Sequence, residues 1–381
     1  MTLPRRSLVV AAIGVTATAL GALFDPRRAA FALLAAHAAV VSVVLGALAM
    51  VMIGHVTGAT WFVLLRRRAE DVTAALPALA VLFVPLLLGV RVLYPWAGPP
   101  GALAPHVREA VEAKRAYLEV PFFVVRAAVY WITWIALAEL LRRASLRQDG
   151  ASDEASAHAL AHRMRVLSAA GLPALALTLT FAAFDWMMSL SPAWSSTLYG
   201  VYVFAGGGVG ALALLAVASP KSLGTEQRHA LAKLLLAFVL FWAYVAYSQY
   251  VVVWSADLPN EVGWYLARLR GGWRGVAALL VVGHLVLPAP LLFLRGVKRS
   301  AIALAALGAW LLAMHYVDVY WMLLPEWSPG RLAVHWLDAA ALAAVAGVTA
   351  TVVAWRRGDE PAVPERDPRL AEAVAYQAES A

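Results

Sequence analysis

The chain contains no cysteine. That excludes disulfides, thiolate zinc sites and cysteine-ligated iron–sulfur clusters built from its own residues. Charge is also scarce. Only 14% of the 381 residues are Asp, Glu, Lys or Arg, where a water-soluble domain carries about 25%. No stretch between apolar segments is long enough for a soluble catalytic domain, the longest being residues 142–166. Period-2 alternation is missing from the apolar segments, which argues against a membrane β-barrel.

What the sequence has is apolar length. Hydrophobic residues make up 62% of it, and the mean hydropathy is +0.73. Ten apolar segments can be marked: 7–24, 29–64, 72–94, 119–141, 167–190, 196–218, 230–254, 273–294, 300–323 and 335–355. Most match the ~20 residues a helix needs to cross a bilayer. The expectation is an all-α polytopic membrane protein of ten transmembrane helices. The second segment is too long for a perpendicular span, and "GHVTG" at 54–58 is the expected irregularity, because glycine loosens a helix. The first segment follows Arg5 and Arg6 but has no small-residue cleavage pattern before Asp25, so it reads as a retained helix rather than a signal peptide.

The net charge of +8 does not point to nucleic acid, because the basic residues cluster at the ends of apolar runs. With the N-terminus inside, twenty Lys and Arg fall on the inner side and nine outside, while Arg91 and Arg126 lie within segments and complete the 31. The excess puts both termini in the cytoplasm of a bacterial inner membrane. The tail, 356–381, is charged and proline-punctuated, and reads as mostly disordered with a short helix.

A faint repeat joins segment five, ending "AAFDWMMSLSP", to segment nine, ending "AMHYVDVYWMLLPE". Each sets an aspartate, a Trp–Met pair and a proline at a helix end. Four helices apart, the two share orientation. This predicts two similarly oriented four-helix bundles, 29–190 and 196–323, within a membrane domain spanning 1–355, with the remaining helices peripheral.

A charged group in a membrane segment costs roughly 2.5–3.5 kcal/mol at the centre and so faces the protein interior and pairs. Asp185, Asp318 and His315 lie toward the outer side, as do Arg91, Arg126, His335 and Asp338. His284 lies near mid-depth, and His55 and Glu139 toward the inner side. Asp185, Asp318, His315, His284, His55 and Glu139 are candidates for a proton relay. For Asp185 an ion pair that fixes one helix against another competes with a proton-accepting role. In segment seven, Tyr244, Tyr247, Tyr250 and Trp254 form an aromatic stripe at helical spacing. Such a stripe usually packs or sits at the interface, but with Gln249 and Ser248 it would also suit a flat ring such as a quinone head group.

Other features read as ordinary. His37 and His55 sit 18 residues apart on one segment, about 27 Å along a helix, too far to share one haem; His315 or His335 could partner the outer one, but only the mid-depth His284 the inner. His106, His158, His162 and His229 read as solvated. "FAGGGVG", 204–210, opens no strand–helix unit; its small residues permit close helix contact. The residues offer no metal site.

Several stretches together resemble a known family: "GHVTGATW", "KRAYLEVPFFVVRAAVYW", "FDWMMSLSPAWSSTLYGVYVFAGG", "SQYVVVWSADLPNEVGWY" and "MHYVDVYWMLLP". The family is the second polysulfide-reductase-type (NrfD-like) membrane subunit of alternative complex III, often called ActF. The resemblance covers most of residues 50–325. It implies a subunit without redox cofactors that pairs with a related quinol-binding membrane subunit, beside extracytoplasmic iron–sulfur and cytochrome c subunits. It also implies a role in shaping the quinol region, conducting protons, or both. Trp186, Arg91, Arg126, Tyr247, Gln249, Tyr250 and Trp254 then become quinone-region candidates, and Asp257, Asn260 and Glu261 candidates for docking a partner. The chain departs from the family pattern at Asn260 and Ser191, where acidic or charged residues are expected. The competing readings are a stand-alone proton-coupled secondary transporter or channel, and a purely structural membrane anchor held among lipids.

Overall fold

A computed structural model describes residues 3–99, 101, 103–220, 223–358 and 360–376. Among these residues there is no strand, and ten helical spans are long and apolar enough to cross a membrane. In chain order they are Arg5–Phe24, Pro26–Thr57, Thr60–Leu88, Val120–Asp149, Glu154–Leu190, Tyr199–Val217, Thr225–Ala256, Gly272–Phe293, Ala301–Glu326 and Trp336–Arg357. The chain is an all-α, multi-pass membrane protein.

The second span is the axis of the fold. It packs against the third and fifth spans on one side and the sixth and ninth on the other, while the first and tenth form a peripheral pair resting on it. The fourth and fifth spans complete one group, and the seventh and eighth join the sixth and ninth in another. Small residues let the two groups meet. A Cβ on Gly207 would lie 2.5 Å from the Ser42 carbonyl oxygen, and one on Gly46 would lie 2.4 Å from that of Gly207. The second and sixth spans therefore touch backbone to backbone, the contact expected of "FAGGGVG".

Three boundaries differ from expectation. The second helix ends at Thr57, where Gly58 adopts φ +67° and returns its N–H to Gly54. The expected loosening is thus a helix stop, since left-handed geometry costs glycine nothing. A charged helix follows, Val63–Thr73, with Arg66, Arg67, Glu70 and Asp71 all buried. Second, the expected loop 142–166 shrinks to residues 150–153, because Val120–Asp149 and Glu154–Trp186 both continue beyond their apolar cores. Third, residues 360–376 are folded back rather than loose. Glu360 binds Arg142, Asp367 is buried against Arg66, and the Glu365 N–H donates to Asp149 at 3.0 Å. The short helix Leu370–Val374 is present, and its Ala373 carbonyl accepts from Gln227 at 2.7 Å. The charge pattern that suggested a solvated tail is consumed by partners contributed from distant sequence.

Candidate functional site

The matched aspartates end in unlike surroundings. Asp185 is buried in the first group and receives the Arg126 guanidinium side-on, Nε at 2.8 Å and Nη2 at 2.9 Å, plus the Tyr130 hydroxyl at 2.7 Å. Arg126 is itself held by the Tyr117 carbonyl at 3.0 Å and lies over the Tyr117 ring. A bidentate, hydrogen-bonded pair of this kind ties the fourth span to the fifth. The ion-pair reading of Asp185 therefore fits its contacts. Behind it Trp186 stacks with Trp131 at 5.7 Å and, with Phe83, encloses His37. The His37 ring is fully buried, with neither nitrogen hydrogen-bonded.

Asp318, on the ninth span, is 0% exposed and has no cationic partner among the described residues. Its carboxyl accepts from two neutral donors: the Tyr202 hydroxyl at 2.6 Å and the Trp242 indole N–H at 2.9 Å. One turn earlier, His315 sets Nε2 2.9 Å from the Ser42 hydroxyl and 3.3 Å from the Ala39 carbonyl. A carbonyl can only accept, so Nε2 carries the proton and Nδ1 is left with a lone pair. That Nδ1 is buried without a partner. It flanks Gly206 together with Asp318: a Cβ there would stand 3.2 Å from Nδ1 and 3.5 Å from Oδ2.

Tyr202 and Trp242 also line a cavity of about 400 Å³, together with Tyr247, Gln249, Tyr250, Trp264 and Tyr265. Its wall is nearly all aromatic and aliphatic, the lining a flat apolar ring requires. Gln249 Oε1 is buried in that wall without a hydrogen-bond partner. Over the cavity, the helix Pro259–Leu269 is pinned by Arg268, which donates to the Trp264 and Met322 carbonyls and to Glu326, with its guanidinium 3.5 Å from the Trp264 ring centre.

Irregular helix shapes one side. Residues Val281–Val286 wind as a π-helix, with the Leu287 N–H reaching back five residues to Val282 at 2.8 Å. Pro288 has no N–H to offer the next carbonyl, Gly283, and the Trp310 indole supplies it instead at 2.7 Å. The extra residue places His284 in the interior, its ring stacked on Trp242 at 4.0 Å with both nitrogens unpartnered.

The candidates therefore separate. Asp318, His315 and His284 gather behind the cavity, and Tyr247, Gln249 and Tyr250 line it. Trp186 and Arg126 belong to the first group with Asp185. Trp254 is 68% exposed and Arg91 is exposed; neither lines the cavity. The aromatic stripe is mostly the outward edge of the seventh span, Tyr244 being 69% exposed, because the buried face runs through Val239, Trp242, Val245 and Gln249. Glu139 is held by Arg356 and Arg143 and is a structural ion pair. His55 is buried beneath the folded-back tail with Nε2 unpartnered, far along the second helix from Ser42. Asp257 caps the seventh span in left-handed geometry, φ 46°, and is exposed; Glu261 is half-buried in the next helix; the Asn260 side chain lies outside the described residues. Tyr202, Trp242 and Ser42 were not anticipated. Tyr202 sits four residues before the glycine run and Trp242 one turn from the stripe, but only three-dimensional packing sets them against Asp318.

No protein-family model matches this sequence, and no curated protein matches it.

Proposed function

We propose that this chain is a membrane-embedded subunit of a quinol-oxidising complex, one that carries no redox group itself and receives protons at the second helix group. The observation that carries this reading is Asp318, fully buried behind an aromatic cavity and held only by the neutral donors Tyr202 and Trp242.

The cavity suits a quinol ring, with Gln249 as acceptor for one ring hydroxyl. Oxidation of the quinol releases two electrons and two protons. The electrons leave to partner subunits that bear iron–sulfur and haem groups. A ring hydroxyl gives its proton to the Tyr202 oxygen as Tyr202 passes its own to Asp318, so the tyrosine ends neutral and the carboxyl ends protonated. His315 Nδ1, the lone pair beside Gly206, is the next acceptor, and the Ser42 hydroxyl continues the path onto the second span. The excess of basic residues on one side supports cytoplasmic termini, with the cavity toward the opposite face. Asp257 and Glu261 lie on that face, at the place where an extracytoplasmic partner would dock.

The test is Asp318→Asn in the purified complex. Quinol oxidation is expected to fall by about 100-fold, within the range of lost general acid–base catalysis, with subunit content unchanged. Full turnover in an intact complex carrying Asp318→Asn overturns the reading. If the protein purifies alone and moves protons or a solute in liposomes, the stand-alone transporter takes its place.

A further inference from the structure

At the far end of the seventh span, about 20 Å along the helix from the cavity, lies a second cluster that the proton path does not use. Leu294 is extended, which breaks the chain away from the eighth span, and the short helix Arg295–Arg299 then turns across the end of the group. Arg228 closes the corner by donating from Nε to the Arg299 carbonyl at 3.3 Å. Lys298 lies within electrostatic range of Lys233 and Arg295. Burial and these two neighbouring cations push the Lys298 ammonium below its ordinary range.

Countercharge is short. The carboxylate at this corner is Glu226, and it is taken by Arg299 at 2.9 Å. Neither Lys233 nor Lys298 has a carboxylate within 4.0 Å among the described residues. His229, expected to be solvated, is instead buried beside both lysines, and its Nδ1 has no hydrogen-bond partner. Beside this basic cluster the surface is apolar and open: Phe293 is 63% exposed, Leu294 is exposed, and Ile302 is 84% exposed. Lysines without a carboxylate partner, next to exposed apolar surface, match a headgroup joined to acyl chains better than a free ion.

We propose that this corner binds an anionic phospholipid, its phosphodiester held by Lys233 and Lys298 above the buried His229, and its acyl chains lying over Phe293, Leu294 and Ile302. A headgroup with its own ammonium would meet the lysines with a like charge, so a phosphatidylglycerol-type lipid is preferred to phosphatidylcholine.

The test is native mass spectrometry of the full chain in detergent, titrated with dioleoylphosphatidylglycerol or dioleoylphosphatidylcholine. The wild type is expected to prefer the anionic lipid by about fivefold or more, the scale of one or two membrane-surface charges. Lys233→Gln with Lys298→Gln is expected to abolish that preference while leaving the melting temperature in lipid-free detergent unchanged. The pair Arg5→Gln and Arg6→Gln removes the same charge elsewhere and is expected to keep it. A preference that survives in the lysine variant, or falls equally in the Arg5/Arg6 variant, overturns the site. Full displacement of the lipid by inorganic phosphate makes it a free-phosphate site and overturns the lipid assignment.

Discussion

Asp185 and Asp318 end the fifth and ninth spans at matching positions, yet Asp185 lies 2.8 Å from the Arg126 Nε while Asp318 meets only a tyrosine hydroxyl and an indole N–H. One site is a fixed charge pair. The other holds a carboxyl without a countercharge, where a proton can be taken up and passed on.

The pair in the first group is structural, so its loss acts on folding. Asp185→Asn leaves the Arg126 guanidinium buried without its counterion, a change that costs about 3–5 kcal/mol. The expected result is low yield and a lowered melting temperature in detergent. Replacing both residues by apolar ones, Arg126→Met with Asp185→Leu, is expected to recover most of the loss. An Asp185→Asn protein of wild-type stability and impaired turnover would instead give Asp185 a chemical role.

His315 Nδ1 and Asp318 Oδ2 both border Gly206 on the ninth span's inner face. Gly206→Ala sets a methyl 3.2 Å from Nδ1, a contact the neighbours can absorb by shifting a few tenths of an ångström. Stability is expected to change little, while quinol turnover falls by about tenfold or more, less than the loss from removing the acid itself. Turnover measured in the assembled complex checks this, and unchanged turnover would remove His315 from the path.

The Trp310 indole replaces a hydrogen bond that proline denies to Gly283. Trp310→Phe keeps an aromatic ring and deletes the donor, leaving a buried carbonyl unsatisfied at about 1–3 kcal/mol. The π-segment is expected to relax, and the His284 ring with it. Thermal denaturation in detergent reports the first effect; the fluorescence difference between otherwise identical proteins with Trp242 and with Trp242→Phe, measured with and without Trp310→Phe, reports the second, because Trp242 stacks on His284.

The folded-back tail is expected to staple one helix group to the other. Asp367→Asn leaves buried Arg66 without its closest carboxylate, although Glu70 remains 3.3 Å from Arg66 Nε. The expected result is faster proteolysis after Arg357, with quinol turnover unchanged. Resistance equal to wild type would show that Glu360–Arg142, Glu365–Asp149 and Gln227–Ala373 hold the tail without Asp367.

Much of the architecture was readable from residue order. Ten apolar runs specify ten helices because the bilayer interior allows no unpaired backbone, and the glycines of 206–210 specify close contact because nothing larger fits between two helices. The Asp–Trp–Met–Pro ends marked Asp185 and Asp318 as a related pair. Their partners were not readable, since Arg126, Tyr130, Tyr202 and Trp242 come from other spans, and a one-dimensional pattern carries no rule for which neighbour a buried carboxylate meets. The aromatic stripe of the seventh span shows the same limit. Period alone puts Tyr244, Tyr247, Tyr250 and Trp254 on one side, yet only Tyr247 and Tyr250 reach the cavity; both faces of this helix are apolar, so hydrophobicity does not tell the lipid side from the cavity side.

The amino-acid order by itself determined that this protein lives in a membrane, as helices, and without thiolate chemistry from its own residues. Tertiary structure alone decided which carboxyl received a guanidinium and which received neutral donors, where the cavity opened, and that the charged tail would fold back. The reason is physical: solvent sets the form of each segment through its own composition, whereas the charge state and reach of a buried side chain depend on atoms brought beside it from elsewhere in the chain.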